Sequence, residues 1–153
     1  MRHMSRTLLM VAGILIAMLA AMPAVAQGNR PPRAFTSSWY TTRADLFFAN
    51  ANRTITGQAT YRQRLHQGQR EQRLQVHVQN AAPLRMIRVH LNGVEIGVIP
   101  TDLFGNGLLF MRTNFDGGVW QPMPDGFPTV LAGDVMTVGR AVGTFGAPAL
   151  EDE

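Results

Sequence analysis

"VHLNGVEIG", residues Val89 to Gly97, is the stretch whose reading decides the fold. Alternating apolar residues flank an Asn-Gly pair, which favours the two-residue turn whose twist matches a β-hairpin. Asn92 and Gly93 are therefore expected at positive φ, with Leu91 facing Val94, Val89 facing Ile96 and Ile87 facing Val98. Upstream, "TITGQATYRQR" alternates Ile55, Gly57, Ala59 and Tyr61 against polar residues, and "QRLQVHVQ" does the same with Leu74, Val76 and Val78. A strand buried on one face requires this period of two. A turn at Gln67-Gly68 pairs Tyr61 with Leu74, Ala59 with Val76 and Gly57 with Val78. Pairing Val78 with Ile87 and Val76 with Val89 then joins the two hairpins on one apolar face, where a slip of one residue would turn every side chain over. "LLFMRT" extends this four-stranded meander with a fifth strand, setting Leu109 beside Val98 and Met111 beside Ile96. "DVMTVG" supplies a later strand, and "TSSWYTT" and "ADLFFAN" are short β-prone runs, the second also compatible with a helical turn. The expectation is an all-β chain, a small antiparallel β-sandwich or open barrel built on a four- to five-stranded meander.

The N-terminus has a different character. Arg2, His3 and Arg6 form a basic head, "TLLMVAGILIAMLAAM" follows as an apolar run, and Ala24 and Ala26 are the small residues of a cleavage site. This is the plan of a secretory signal peptide over residues 1–26. The run falls short of the ~20 residues of a spanning helix, and Pro23 breaks it, so no membrane span is expected after cleavage. The mature protein is expected to be periplasmic or secreted. Residues 27–36 read as a flexible leader, 37–145 as one domain and 146–153 as an acidic, solvated tail. There is no cysteine, which excludes disulfides and thiolate metal sites, and no lysine, so every basic side chain is arginine or histidine. Loss of Arg2 and Arg6 with the signal removes two charges from a formal net charge of +4. Seven arginines lie between Arg53 and Arg88 against one acid, Glu71, so the remaining charge is uneven.

The succession "GQATYR", "RLQVHV", "HLNGVEIG", "TDLFGNGLLF" and "AGDVMTVG", from about Ile55 to Gly139, resembles small secreted bacterial all-β domains that are largely uncharacterised. The turn at Asp102, Gly105 and Gly107 is similar to turns in bacterial immunoglobulin-like repeats, and there is a more distant similarity to chordin-type domains. The paired histidine segment of the latter is missing. The resemblance implies an exported β-domain and carries over no catalytic residue.

The residues themselves argue against catalysis. Ser37 and Ser38 lie outside any nucleophile-elbow motif, and without cysteine or lysine there is no thiol or Schiff-base nucleophile. Asp102, Asp116, Asp125 and Asp134 each lie in a glycine-rich turn, where aspartate serves its own backbone. No catalytic residue and no cofactor is expected; a small secreted hydrolase is the alternative. The meander would place His77 opposite Arg88 and His90 opposite Glu95. Arg88 would then repel a cation between the two histidines, so no metal site is expected.

Two candidate binding surfaces follow from the expected register. Arg62, Arg64, Arg73 and Arg88, with His77 among them, would share the outer sheet face, and guanidinium forks suit carboxylate, sulfate and phosphate. In an exported protein that points to an anionic glycan or lipopolysaccharide rather than nucleic acid. The alternative is a solvated face with Arg64–Glu71 and Arg112–Glu95 pairs. At the other end, Phe110 would face Gly97 and Leu108 would face Ile99, with Met86 alongside, making an apolar corner. Its expected cover is the loop "NFDGGVWQPMPDGFP", anchored by Trp120 and helped by Phe127, or the "SSWY" segment. The other covers are a ligand, an envelope protein or a second subunit in an oligomer. The functional expectation is an exported, non-enzymatic binding or interaction domain, with an anionic polysaccharide-binding module as the alternative.

Overall fold

The computed structural model describes residues 38–115 and 117–151; the segments read as signal peptide and leader, Ser37, Asp116 and residues 152–153 lie outside them. The described residues contain no helix, and therefore none long and apolar enough to cross a membrane. The chain is all-β. Its strands are β1 (Trp39–Asn50), β2 (Arg53–His66), β3 (Gln69–Gln79), β4 (Met86–Leu91), β5 (Val94–Pro100), β6 (Gly107–Arg112), β7 (Gln121–Pro122), β8 (Val135–Val138), β9 (Ala141–Thr144) and β10 (Ala149–Glu151). They form one sheet in the order β5-β4-β8-β9-β1-β2-β3-β6-β7, with β10 added to β1. All pairs are antiparallel except β6–β7, and the sheet curls into a half-barrel. Its two arms are joined on the backbone by the bridge of Thr101 to Gly107.

The β2–β3 hairpin has the expected register: Tyr61 pairs with Leu74, Ala59 with Val76 and Gly57 with Val78. Its turn residues Gln67 and Gly68 lie at φ 51° and 76°. Asn92 and Gly93 also take positive φ, 50° and 82°, and Leu91 pairs with Val94. Beyond the next pair, His90–Glu95, the hairpin departs from the regular ladder. His90 pairs with Glu95 but Val89 with Gly97, so Ile96 is an extra residue in β5, a β-bulge. The bulge reverses the facing of the rest of β5, and Ile99 pairs with Ile87 and is fully buried in the core.

The meander is not formed. β3 takes β6 as its second neighbour, through Leu74–Met111, Val76–Leu109 and Val78–Gly107, while β4 pairs with β8. Parity explains the difference, because β6 alternates with the same period as β4 and either would continue the apolar face. What decides is the connection at 80–85. Asn80 and Leu84 take positive φ and Pro83 lacks an amide donor, so the chain leaves β3 and crosses to the other arm. "TSSWYTT" and "ADLFFAN" merge into the single twelve-residue β1, which pairs along its length with β2. Ala149–Glu151, within the segment read as a tail, also pair with β1.

The inner face carries the core: Tyr40, Leu46, Tyr61, Leu74, Val76, Val89, Ile99, Leu109 and Met136 are all buried. One mouth of the half-barrel is plugged by the long loop after β6. Met123, Phe127 and Val130 are buried there, and Phe127 stacks on Tyr61 at 6.4 Å between ring centroids. The plug is fastened by polar groups. Tyr40 Oη donates to the Val130 carbonyl (3.1 Å), Gln72 Nε2 donates to the carbonyls of Phe127 (3.3 Å) and Pro128 (3.1 Å) and to Tyr61 Oη (2.7 Å), and Tyr61 Oη donates to Gln63 Oε1 (2.6 Å).

Burial pushes the Tyr61 hydroxyl up to about 12, although Gln72 and the Arg70 charge draw it back. The sign follows from the two states. Below the ordinary tyrosine value of 10.0 both hold the proton and stability is flat. Between about pH 10 and 12 the unfolded chain loses it first, so stability falls by about 1.4 kcal/mol per pH unit. Urea midpoints measured across this range should decline, and Tyr61→Phe should decline less steeply. Parallel declines for the two proteins would contradict the assignment.

Candidate functional site

The outer face of β1, β2, β3 and β6 carries three of the four expected arginines, Arg62, Arg64 and Arg73, and they are engaged within the fold. Thr41, Arg62, Arg73 and Arg112 occupy one cross-strand row, and Trp39, Arg64 and Glu71 the next. Arg64 Nε donates to Glu71 Oε2 at 2.8 Å, and Arg73 Nη2 to Glu71 Oε1 at 2.7 Å. Burial raises the Glu71 carboxyl, but the hydrogen bonds and charges of the two arginines outweigh it and hold its pKa below the ordinary value. Both guanidiniums also lie over the Trp39 ring, at 4.4 and 4.5 Å. His77 shares this face, between Gln58 and Leu108. Arg88 does not. It is on β4 and lies 3.5 Å from Glu95, which is also 4.0 Å from His90 Nε2. Glu95 therefore partners Arg88 rather than Arg112, and His77 and His90 are on strands that are not neighbours.

The expected apolar corner is also divided. Ile99 is in the core and Met86 stands at the far mouth of the half-barrel, because of the bulge and the placement of β4 beside β8. Leu108 and Phe110 do lie on the outer face of β6, with Met111 on the inner. Trp120 covers Phe110 at 5.4 Å between centroids, with Arg112 5.7 Å from the Trp120 ring, while Leu108 remains half exposed. The loop's main anchors are Phe127, Met123 and Val130 on the inner face, not Trp120.

The open mouth, opposite the plug, holds a cleft of about 710 Å³. Its floor is apolar: Phe48 and Ile55 from β1 and β2, Ile87 from β4 and Val138 from β8. Its rim carries Arg53, Arg85, Arg88, Arg140 and His90, with Asn50 and Asn52, and the lining contains no carboxylate. Among the described residues Arg53, Arg85 and Arg140 have no ion-pair partner, and Arg140 lies 5.8 Å over the Phe48 ring.

Each wall is fixed by local chemistry. Asn50 Oδ1 accepts the amides of Asn52 (3.0 Å) and Arg53 (2.8 Å), which sets the β1–β2 turn. The amide of Gly139 donates to the Arg88 carbonyl (3.0 Å), tying the β8–β9 turn to β4. Thr101 receives the Arg85 amide on Oγ1 (3.0 Å) and donates its own amide to the Arg85 carbonyl (2.9 Å). Hydrogen bonds thus fix each wall of the cleft. The residue run Arg53–Arg88 signalled excess charge, but the grouping needs the fold. Arg53, Arg85 and Arg140 stand at three turns, and only the strand directions show that these turns meet at one end.

Asp102 and Asp134 are used as turn residues. Asp102 Oδ1 accepts the amides of Phe104 and Asn106, both at 2.8 Å, and the Asn106 amide leads the contacts that hold its carboxyl below the usual range. Asp134 accepts the Leu131 amide (2.7 Å) and the side chain of Asn92 (2.9 Å). Among the described residues no group of three His, Asp or Glu side chains could hold a metal ion. No protein-family model matches the chain, and no curated protein and no solved structure matches it.

Proposed function

We propose that this chain is an exported, non-enzymatic binding domain whose site is the open mouth of the half-barrel, and that it takes an anion with an apolar portion. The observation that carries this reading is the pairing of an apolar floor with a rim on which Arg53, Arg85 and Arg140 have no ion-pair partner among the described residues, while Arg88 is held by Glu95. Guanidinium groups present paired donors to phosphate, sulfate or carboxylate, and an apolar floor favours a ligand with hydrocarbon or ring surface. Export rests on the basic head, the apolar run and the small-residue site at Ala24 and Ala26, and it agrees with the resemblance to small secreted bacterial all-β domains. The outer arginine row ranks second as an anionic-glycan surface, because Glu71 and Trp39 already occupy Arg64 and Arg73.

Calorimetry with hexyl phosphate, inorganic phosphate and hexyl glucoside tests the reading. Hexyl phosphate should bind more tightly than either of the others, and more weakly as salt rises. Arg53→Gln with Arg140→Gln should weaken it about tenfold or more, since charge-assisted hydrogen bonds contribute about 1.5–3 kcal/mol each. Equal affinity in the double variant would overturn the site. Binding of an acidic glycan that Arg62→Gln abolishes would move the function to the outer face.

A further inference from the structure

Beside the cleft, two connections form a tip that is both rigid and apolar. Residues 80–85 and 101–106 are bound to each other: the Ala81 amide donates to the Gly105 carbonyl (2.9 Å), the Leu84 amide to the Asp102 carbonyl (3.1 Å), and Thr101 Oγ1 lies 2.6 Å from the Ala82 carbonyl. This scaffold holds Leu84, Met86, Leu103 and Phe104 in solvent, at 67%, 65%, 70% and 79% exposure. Leu84 is doubly unfavourable there, because it also takes φ 51°, a left-handed conformation that a branched apolar residue seldom adopts. Strain kept by a hydrogen-bonded frame, on a side chain that gains nothing from the fold, indicates that the benefit lies outside the chain. Phe104 and Arg53 line one shallow depression, and Arg53, Arg85 and Met86 line the cleft, so the apolar tip and the arginine rim are continuous. The acid at the tip, Asp102, has Oδ1 turned onto the amides of Phe104 and Asn106 and Oδ2 toward the Asn106 side chain.

We infer that this end of the molecule seats on an anionic lipid bilayer, with Leu84, Leu103 and Phe104 entering the interfacial layer and the rim arginines receiving lipid phosphates. Apolar side chains ringed by cations are what such a surface binds, through burial of the first and attraction of the second. A second copy fits less well, since a two-fold contact on this face would set the arginines against their own copies. The inference rests on the cleft reading for the role of its arginines, and adds the source of the anion.

The chain has no cysteine, so a single introduced one reports its own position. The full chain carrying Leu103→Cys or Gln67→Cys is labelled with a nitrobenzoxadiazole dye and mixed with vesicles. Gln67 lies in the β2–β3 turn, at the other end of the half-barrel. The dye at 103 should brighten and shift to the blue with vesicles containing phosphatidylglycerol, and stay aqueous with phosphatidylcholine alone; the dye at 67 should stay aqueous with both. Phe104→Ser should weaken vesicle binding about tenfold or more, and leave hexyl phosphate binding unchanged. An aqueous signal at 103, an equal response to uncharged vesicles, or unchanged vesicle affinity in Phe104→Ser overturns the bilayer seat. Sedimentation showing a wild-type dimer that Phe104→Ser dissolves would overturn it in favour of a second copy. Hexyl phosphate binding without vesicle binding removes the seat and keeps the cleft reading, whereas insertion at 103 without hexyl phosphate binding overturns the cleft reading alone.

Discussion

Gly105→Ala should open the tip and lower stability by about 3–5 kcal/mol, combining backbone strain with the loss of buried hydrogen bonding. Gly105 lies at φ 78°, and a Cβ there would be 2.1 Å from the Ala81 carbonyl oxygen and 2.9 Å from its carbon. Those atoms are backbone and cannot swing aside. The methyl group must therefore push apart the two connections that the Ala81–Gly105 hydrogen bond holds together. Gly93→Ala is the control, because Gly93 has a similar φ of 82° with nothing within 4 Å of the added carbon. It should cost only the strain of the turn, about 1 kcal/mol. In hydrogen exchange, the amides of Ala81 and Leu84 should lose protection in Gly105→Ala and keep it in Gly93→Ala. Equal melting points and equal protection in the two variants would show that the tip is not built as described.

Gln72→Leu should release the plug, at a cost of about 2–4 kcal/mol for three hydrogen bonds lost together. The Gln72 side chain, buried between β3 and the long loop, donates to Tyr61 Oη and to the carbonyls of Phe127 and Pro128. Leucine matches its bulk and supplies none of those bonds. Tyr61 would keep Gln63 as acceptor, but the two loop carbonyls would lose the side chain that joins them to the sheet. Proteolysis should then cut between Phe115 and Val130 at lower protease concentration than in the wild type, and a hydrophobic dye should bind the uncovered inner face. Wild-type resistance in the variant would place the fastening elsewhere, for example in Arg70 Nη2, which donates to the Phe127 carbonyl at 2.6 Å.

The parts of this fold that were legible in the sequence are those fixed by neighbours in the chain. Gln67-Gly68 and Asn92-Gly93 are turns of fixed length, so they set which residues face each other nearby, and Tyr61–Leu74 and Leu91–Val94 follow. The bulge at Ile96 left no mark in the pattern, because Val94, Ile96 and Val98 alternate as smoothly as a regular strand would. One inserted residue was enough to move Ile99 from the expected corner to the core. The partner of β3 was equally hidden, since alternation defines a face but not the neighbour that shares it. The site was less legible still. Arg62, Arg64 and Arg73 are dense on one hairpin in the sequence, but the fold engages Arg64 and Arg73 with Glu71 and Trp39. Arg53, Arg85 and Arg140 are far apart in the chain and are brought together only by non-local pairing of β4 with β8 and of β1 with β9.

The curl of the sheet has a consequence for how the chain behaves in a crowd of its own copies. A flat sheet ends in two strands with unpaired backbone groups, and each can add a strand from another molecule. Many proteins guard such margins with lysine, which this chain lacks altogether. Here the margin formed by β5 is folded back toward β6, meeting it at Thr101 and Gly107 and bringing Gly97 against the Leu109 side chain. The opposite margin, β7, is two residues long and finishes on Pro122, which has no amide hydrogen to offer. Shape and one proline thus do the work of surface charge in discouraging edge-to-edge aggregation.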